Sequence, residues 1–267
     1  MDWYQSFWLG LTQGITEIVP VSSSGHVEIM QQIFGGRGEG FHLLMELITF
    51  GSLLALIVFY RKQIMEIFVD IFRNKDFRLL INIILSAIPC IAVGLLLYSL
   101  IESNWFFSNM LVIAGALALV GIAMVAVERL PHMPKVKDEN GLSKPRALLI
   151  GAAQCFAIIP GISRAGSALF VGRIAGMDSK TSFRYANLVG IPVLAAIAAK
   201  SAASSASRYV LVNNFQTIAF ANSIAFVAGI IILHFLTKYF NKKNSLKPFG
   251  VYRIVIALII LVFELIR

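Results

Sequence analysis

Polar positions almost vanish from six stretches of the chain, 41–60, 79–101, 105–127, 187–203, 215–236 and 250–266. Each is about long enough, at roughly 1.5 Å per helical residue, to cross roughly 30 Å of hydrocarbon. The pattern predicts six membrane-spanning helices, the fourth being the shortest. Two further segments, 5–34 and 146–176, are moderately apolar but interrupted, the first at Val19-Pro20 and Ser22-Ser23-Ser24-Gly25, the second at Pro160-Gly161. Proline lacks the helix donor and disfavours helix in the residue before it, so each segment is expected to run helix, break, helix. The serine run would cap the second helix of the first segment. Broken backbone is tolerated at membrane depth only inside protein or along a cavity, which makes both segments expected re-entrant hairpins.

The two hairpins resemble each other. At an offset of 141 residues Gly10 meets Gly151, Gln13 meets Gln154, Ile18 meets Ile159, Ser22 meets Ser163 and Gly25 meets Gly166. Three predicted spans follow each copy. An odd number of spans between the copies brings the second hairpin in from the opposite face, the inverted-topology repeat in which broken helices meet near the midplane. The expected fold is thus an all-α integral membrane protein forming a single membrane domain, 1–267. Repeat 1 is 1–128, with hairpin 5–34; repeat 2 is 146–267, with hairpin 146–176; 129–145 is the cytoplasmic linker.

Composition agrees, with 58% hydrophobic and 14% charged residues. The net charge of +9 does not point to nucleic acid, because the cations sit in alternate loops. Arg61, Lys62, Arg73, Lys75 and Arg78 follow the first span, Arg129, Lys135, Lys137, Lys144 and Arg146 the third, and Lys238, Lys242, Lys243 and Lys247 the fifth. Under the positive-inside rule those loops are cytoplasmic. The Glu102–Asn104 and Ser204–Asn214 loops and the C-terminus are then expected outside, and the first hairpin dips in from outside. The start of the chain, MDWYQSFWLG, lacks the basic and small-residue features of a signal peptide, so no removal is expected. Cys90 and Cys155 form no disulfide or zinc spacing.

Chemistry concentrates at the breaks. Ionisable groups at membrane depth are costly and usually mark a substrate or ion site. The first break carries Gln13, Glu17, Ser22, Ser23, Ser24, Gly25 and His26 within QGITEIVPVSSSGH; the second carries Ser163 and Arg164 within PGISRAG. Converging half-helix N-termini and serine hydroxyls favour a phosphate, and Arg164 adds a planar cationic fork. Glu17 shares a helical face with Gln13. A carboxylate beside a phosphate calls for a proton or a divalent cation between them. His26 has the chemistry to trade that proton. Asn187 and Lys200, polar interruptions of the fourth span, read as helix-packing or interfacial residues.

These residues resemble the undecaprenyl-diphosphate phosphatase family, also known for bacitracin resistance. The resemblance rests on QGITEIVPVSSSGH, PGISRAG and the intervening FGSLLALIVFYRK, and extends over nearly the whole chain in motif order and span count. It implies a bacterial plasma-membrane phosphatase that removes the terminal phosphate of a 55-carbon polyprenyl diphosphate and recycles the lipid carrier for cell-wall synthesis. It also implies dependence on a divalent cation, Mg or Ca. The family's Glu/Gln-x-x-x-Glu element falls on Gln13 and Glu17, its serine loop and histidine on Ser22 to His26, and its PGxSRSG element on Pro160 to Gly166. Many members carry Glu where Gln13 stands, so a two-carboxylate account fails and Glu17 holds that role alone. Ala165 replaces a common Ser, and Tyr185-Ala186-Asn187 stands in place of Phe-Ser-Phe.

Glu17, His26 and Arg164 are the expected catalytic residues, and Gln13, Ser22, Ser23, Ser24, Gly25 and Ser163 the expected substrate contacts. Arg164, Ser163 and the second serine of the loop would hold the terminal phosphate. His26 would act as general base on water or as the nucleophile, with Glu17 orienting it or binding the metal. Expected partners are the polyprenyl diphosphate lipid and the membrane, with a homodimer allowed; the site is expected to open outward. A prenyl-phosphate transporter or flippase would use the same repeats and anion site without chemistry, and an ion-conducting protein is the third class.

Overall fold

The structure, a computed structural model, describes residues 2–34, 39–98, 100, 104–129, 135–136, 138–243 and 245–266. Glu102, Lys137 and part of the expected 129–145 linker lie outside these residues. Among those described, the chain forms twelve α-helices: α1 (Trp3–Thr16), α2 (Ser23–Phe34), α3 (Glu39–Phe59), α4 (Arg61–Val69), α5 (Arg78–Leu96), α6 (Met110–Val127), α7 (Lys144–Cys155), α8 (Arg164–Ile174), α9 (Ser179–Ala203), α10 (Ser205–Asn213), α11 (Phe215–Lys243) and α12 (Lys247–Ile266). Six of them, α3, α5, α6, α9, α11 and α12, are long and apolar enough to cross a membrane.

Three boundaries differ from the sequence reading. The fourth span is not the shortest, because α9 runs for 25 residues from its Asp178 cap, whose side chain accepts from Thr181 N at 2.7 Å. Ser179, Thr181, Ser182 and Tyr185 in its first two turns are polar yet buried in protein: the Tyr185 hydroxyl donates to Asn82 O at 2.8 Å and pairs with Ser86 Oγ at 2.8 Å. Hydropathy counts such residues as loop because it cannot see their partners. The third span starts at Met110, where Asn109 Oδ1 caps the helix by accepting from Leu111 N at 2.8 Å; 105–108 is a single 3-10 turn. The 204–214 loop is mostly helix, α10.

Helix contacts cross between the two halves of the chain. α1 lies along α11, while α7 lies along α5, so each helix-break-helix segment leans on a candidate span from the other half. Close approach requires glycine: a Cβ added at Gly10 would strike the Ala221 carbonyl, and one at Gly14 the Ala225 carbonyl. At Gly151 it would come 2.8 Å from Leu85 O on α5. Small residues that let backbones touch are the usual means of helix association where lipid gives no hydrophobic drive. α6 packs on α12 and α3 on both α9 and α11, which encloses the two breaks at the centre of the bundle.

Candidate active site

The two breaks are built alike. The chain leaves α1 at Glu17, turns through Pro20 and enters α2 at Ser23; later it leaves α7, passes Pro160-Gly161 and enters α8 at Arg164. Ser22 and Ser163, 141 residues apart, both adopt positive φ (80° and 75°). Each hydroxyl then accepts from the backbone N–H three residues on, Gly25 N at 3.3 Å and Gly166 N at 3.0 Å, which caps the helix that follows. Ser22 Oγ also accepts from Gly161 N at 3.1 Å, tying one break to the other. Gly161 has no alternative residue, since its φ is +102° and an added Cβ would come 2.6 Å from Ile113 O.

Arg253 of α12 completes the junction. It is fully buried and donates to Pro20 O at 3.1 Å, to Ile162 O at 3.0 Å and to Gly161 O. One guanidinium therefore satisfies carbonyls freed by both breaks. Buried backbone acceptors without partners are costly, and the planar donor fork meets several at once.

A cavity of about 640 Å³ opens beside this junction, lined at its inner end by Gln13, Glu17, Ser23, Ser24, Ser163 and Arg164. Arg164 Nη2 donates to Glu17 Oε1 at 3.0 Å, the two side chains being 10% and 9% exposed. Its Nη1 donates to Ala186 O at 3.3 Å, and its Nε has no hydrogen-bond partner among the described residues. Glu17 Oε2 accepts from Ser23 Oγ at 2.8 Å and from Gln13 Nε2 at 3.1 Å, and Gln13 Nε2 also donates to Thr49 Oγ1 at 3.2 Å. A serine hydroxyl pointing at a carboxylate, beside a charge-paired arginine, has the elements of nucleophile, proton acceptor and anion clamp.

The remaining expected site residues lie elsewhere. Ser22 is wholly buried in the junction, and Gly25 packs against it and Gly161. His26 is not brought to the cavity with Glu17 and Arg164. Ser23, Ser24, Val27 and Glu28 share one face of α2 at helical spacing and line the cavity; His26 lies off that face. Its Nδ1 is 2.8 Å from Ser22 O and its Nε2 2.8 Å from the Tyr252 hydroxyl, with the two rings stacked at 5.7 Å. A carbonyl can only accept, so Nδ1 carries the proton, and neutral His26 accepts at Nε2 from Tyr252. For a divalent cation the cavity offers oxygen donors of the right hardness in Glu17, Gln13 and the serines. Among the described residues no group of three His, Cys, Asp or Glu side chains is placed to hold a metal.

Sequence reasoning missed Thr49, Glu46, Tyr252 and Arg253. For Arg253 a signal existed, a cation inside an apolar run. Lys200, read as a packing or interfacial residue, lines the outer end of the cavity, while Asn187 does pack, donating to Phe183 O at 2.9 Å. Gly190 faces Arg164 directly: an added Cβ would lie 2.6 Å from Nη1. Since the end of a flexible side chain can move aside, Gly190→Ala is expected to keep the thermal unfolding temperature while lowering kcat/KM by about a hundredfold through displacement of the guanidinium. Parallel unfolding and turnover measurements check both halves of that expectation.

The profile of bacitracin resistance protein BacA matches residues 6–259. Undecaprenyl-diphosphatase of Neisseria meningitidis serogroup C is 31% identical over 265 residues, covering 98% of this chain and 95% of that protein. The protein of the same name from Oceanobacillus iheyensis is 31% identical over 288 aligned residues, covering 98% and 100%. Undecaprenyl-diphosphatase 1 of Clostridioides difficile is 30% identical over 270 residues, covering 98% and 96%. Likeness over the full length, through both breaks and all six candidate spans, goes beyond a shared motif, and the chain belongs to the bacitracin resistance protein BacA family.

Proposed function

We propose that this protein is an undecaprenyl-diphosphatase of the bacterial plasma membrane, hydrolysing undecaprenyl diphosphate to the monophosphate and inorganic phosphate. The observation that carries the reading is the Ser23–Glu17–Arg164 chain of contacts in a cavity among candidate membrane spans. In this reading α1–α2 and α7–α8 are re-entrant hairpins of an inverted-topology repeat, 1–128 and 146–267. Support comes from the paired Ser22 and Ser163 geometry and from the crossed packing of each hairpin on the other half. The alternation of cation-rich loops supports a cavity mouth on the outer side.

Arg164 exchanges Glu17 for the terminal phosphate, a bidentate charge-assisted contact. Ser24, Ser163 and the N-terminal N–H groups of α2 and α8 add donors to that phosphate. Glu17 accepts the Ser23 proton as Ser23 Oγ attacks the terminal phosphorus; the bond to the bridging oxygen breaks, and the lipid monophosphate leaves with that oxygen. Water then attacks the phosphoserine, one of its protons restoring the Ser23 hydroxyl and the other leaving with the phosphate, while Glu17 gives the proton it took to solvent. A divalent cation, Mg or Ca, would be held by Glu17 with Gln13 and the serines, and would supply charge neutralisation on the diphosphate. His26 is a positioning residue: through Ser22 O and Tyr252 it holds the turn from which Ser23 projects.

Purified protein in detergent is expected to release phosphate from undecaprenyl diphosphate; absence of release, with lipid movement in vesicles, would instead favour a transporter. Ser23→Ala is expected to lower kcat about a thousandfold. Acid quenching of wild type in turnover, followed by peptide mass spectrometry, should find phosphate on Ser23. Wild-type turnover without that adduct, together with an active Ser23→Ala variant, would transfer the attack to water.

A further inference from the structure

The cavity continues past Arg164 to a second polar cluster. Lys200 Nζ makes a 2.7 Å ion pair with Glu46 Oε1 and stands 3.0 Å from the centroid of the Tyr98 ring, and Ser201 Oγ donates to Glu46 Oε2 at 2.9 Å. Glu46 lies one turn of α3 from Thr49, the residue that Gln13 reaches at 3.2 Å. One turn is about 5 Å, so the Lys200–Glu46 pair neighbours the Gln13–Thr49 contact along α3.

Glu46 also lines a second cavity, of about 660 Å³, between α3, α9, α10 and α11. Its walls are largely apolar, with Leu47, Phe50, Leu54, Leu211 and Phe226 among them. The cluster thus stands where the first cavity, apolar over much of its wall but carrying Glu17 and Arg164, borders a second and more apolar one. A lipid diphosphate has the same division, and its inner phosphate carries the tail. With the terminal phosphate at Arg164 and the tail in the second cavity, the path of the head group between them passes Glu46 and Lys200.

Charge points the same way. The described cationic side chains lining the chamber are Arg164, Lys200 and, when protonated, His42. Each faces a carboxylate: Glu17 at 3.0 Å, Glu46 at 2.7 Å and Glu28 at 3.8 Å. The pairs nearly cancel, so a diphosphate gains favourable contacts only as cations change partner. Lys200 can do so cheaply, because it swaps one anion for another on a flexible stem while Glu46 keeps its bond from Ser201.

We infer that Lys200 is a second phosphate-binding residue, selective for the lipid-linked phosphate and held by Glu46 until the head group arrives, with the groove beyond Glu46 taking the first isoprene units. The inference rests on the diphosphatase reading for its substrate, and binding tests it separately from turnover. Titration calorimetry on the purified full chain would compare geranylgeranyl monophosphate with inorganic phosphate. Lys200→Gln is expected to weaken the prenyl monophosphate about tenfold and leave inorganic phosphate within about twofold, with Lys200→Arg restoring affinity. In turnover, the same variant should raise KM for undecaprenyl diphosphate and keep kcat within about threefold. Equal weakening of both ligands, or unchanged prenyl monophosphate affinity in a variant that unfolds at the wild-type temperature, overturns it. A wild type that binds the prenyl monophosphate through Lys200 but releases no phosphate would overturn the enzymatic reading and uphold this one.

Discussion

Arg164→Ala is expected to lower kcat/KM about a thousandfold, the loss seen when a single arginine that meets transferring phosphoryl charge is removed. A stability change should accompany it. Glu17 is 9% exposed and keeps its Gln13 and Ser23 donors, but without Arg164 it is a buried carboxylate with no cation facing it. Breaking such a pair from one side costs about 3 kcal/mol, whereas removing both partners costs much less. The double variant Glu17→Gln with Arg164→Ala should therefore unfold at a higher temperature than Arg164→Ala alone and remain inactive. Arg164→Lys separates charge from shape: a lysine restores the sign but cannot hold Ala186 O and meet a phosphate at two points at once. Its activity should fall between alanine and wild type. Phosphate release and thermal unfolding in the same detergent read all four proteins, and an Arg164→Ala enzyme within tenfold of wild type would remove the clamp from the mechanism.

The second large effect is expected at Arg253, which touches no substrate in this scheme. Arg253→Met fills similar space but leaves the Pro20, Gly161 and Ile162 carbonyls without their buried donor. Each stranded acceptor costs on the order of 1–3 kcal/mol, and the Ser22 hydroxyl with Gly161 N would be left to join the breaks. Displacing Ser23 from Arg164 by even about 1 Å is enough for a hundredfold drop in kcat. Arg253→Lys can satisfy one break but not both, so it should recover stability better than turnover. Equal recovery of both would show that Arg253 stabilises the bundle without setting the distance between the loops.

Much of this arrangement is legible in the chain itself. The six spans and the two helix-break-helix segments follow from long apolar runs and from where proline, glycine and serine interrupt them, because those features act within a few residues of themselves. Glu17, Ser23 and Arg164 stand out for the same local reason, as polar groups in apolar surroundings. The errors have a common origin. Ser179 to Tyr185 resembles a loop until Asn82 and Ser86 are seen to satisfy Tyr185, and 204–214 resembles a connection until it is seen wrapped as α10.

His26 shows the limit most directly. It sits three residues from Ser23, about 60° round the helix from it, so the two side chains leave α2 at neighbouring angles and the order of residues does not say which partner each meets. Only tertiary packing put Tyr252 against one and Glu17 against the other. Lys200 and Glu46 lie 154 residues apart, and Arg253 lies 233 residues from Pro20, so no local pattern announces either meeting. By itself the sequence determined which segments are long and apolar enough to cross a membrane, where the other helices break and which chemical groups the breaks carry. The tertiary structure decided which of those groups face one another, because side-chain direction and long-range pairing depend on how helices dock and not on the order in which residues are joined.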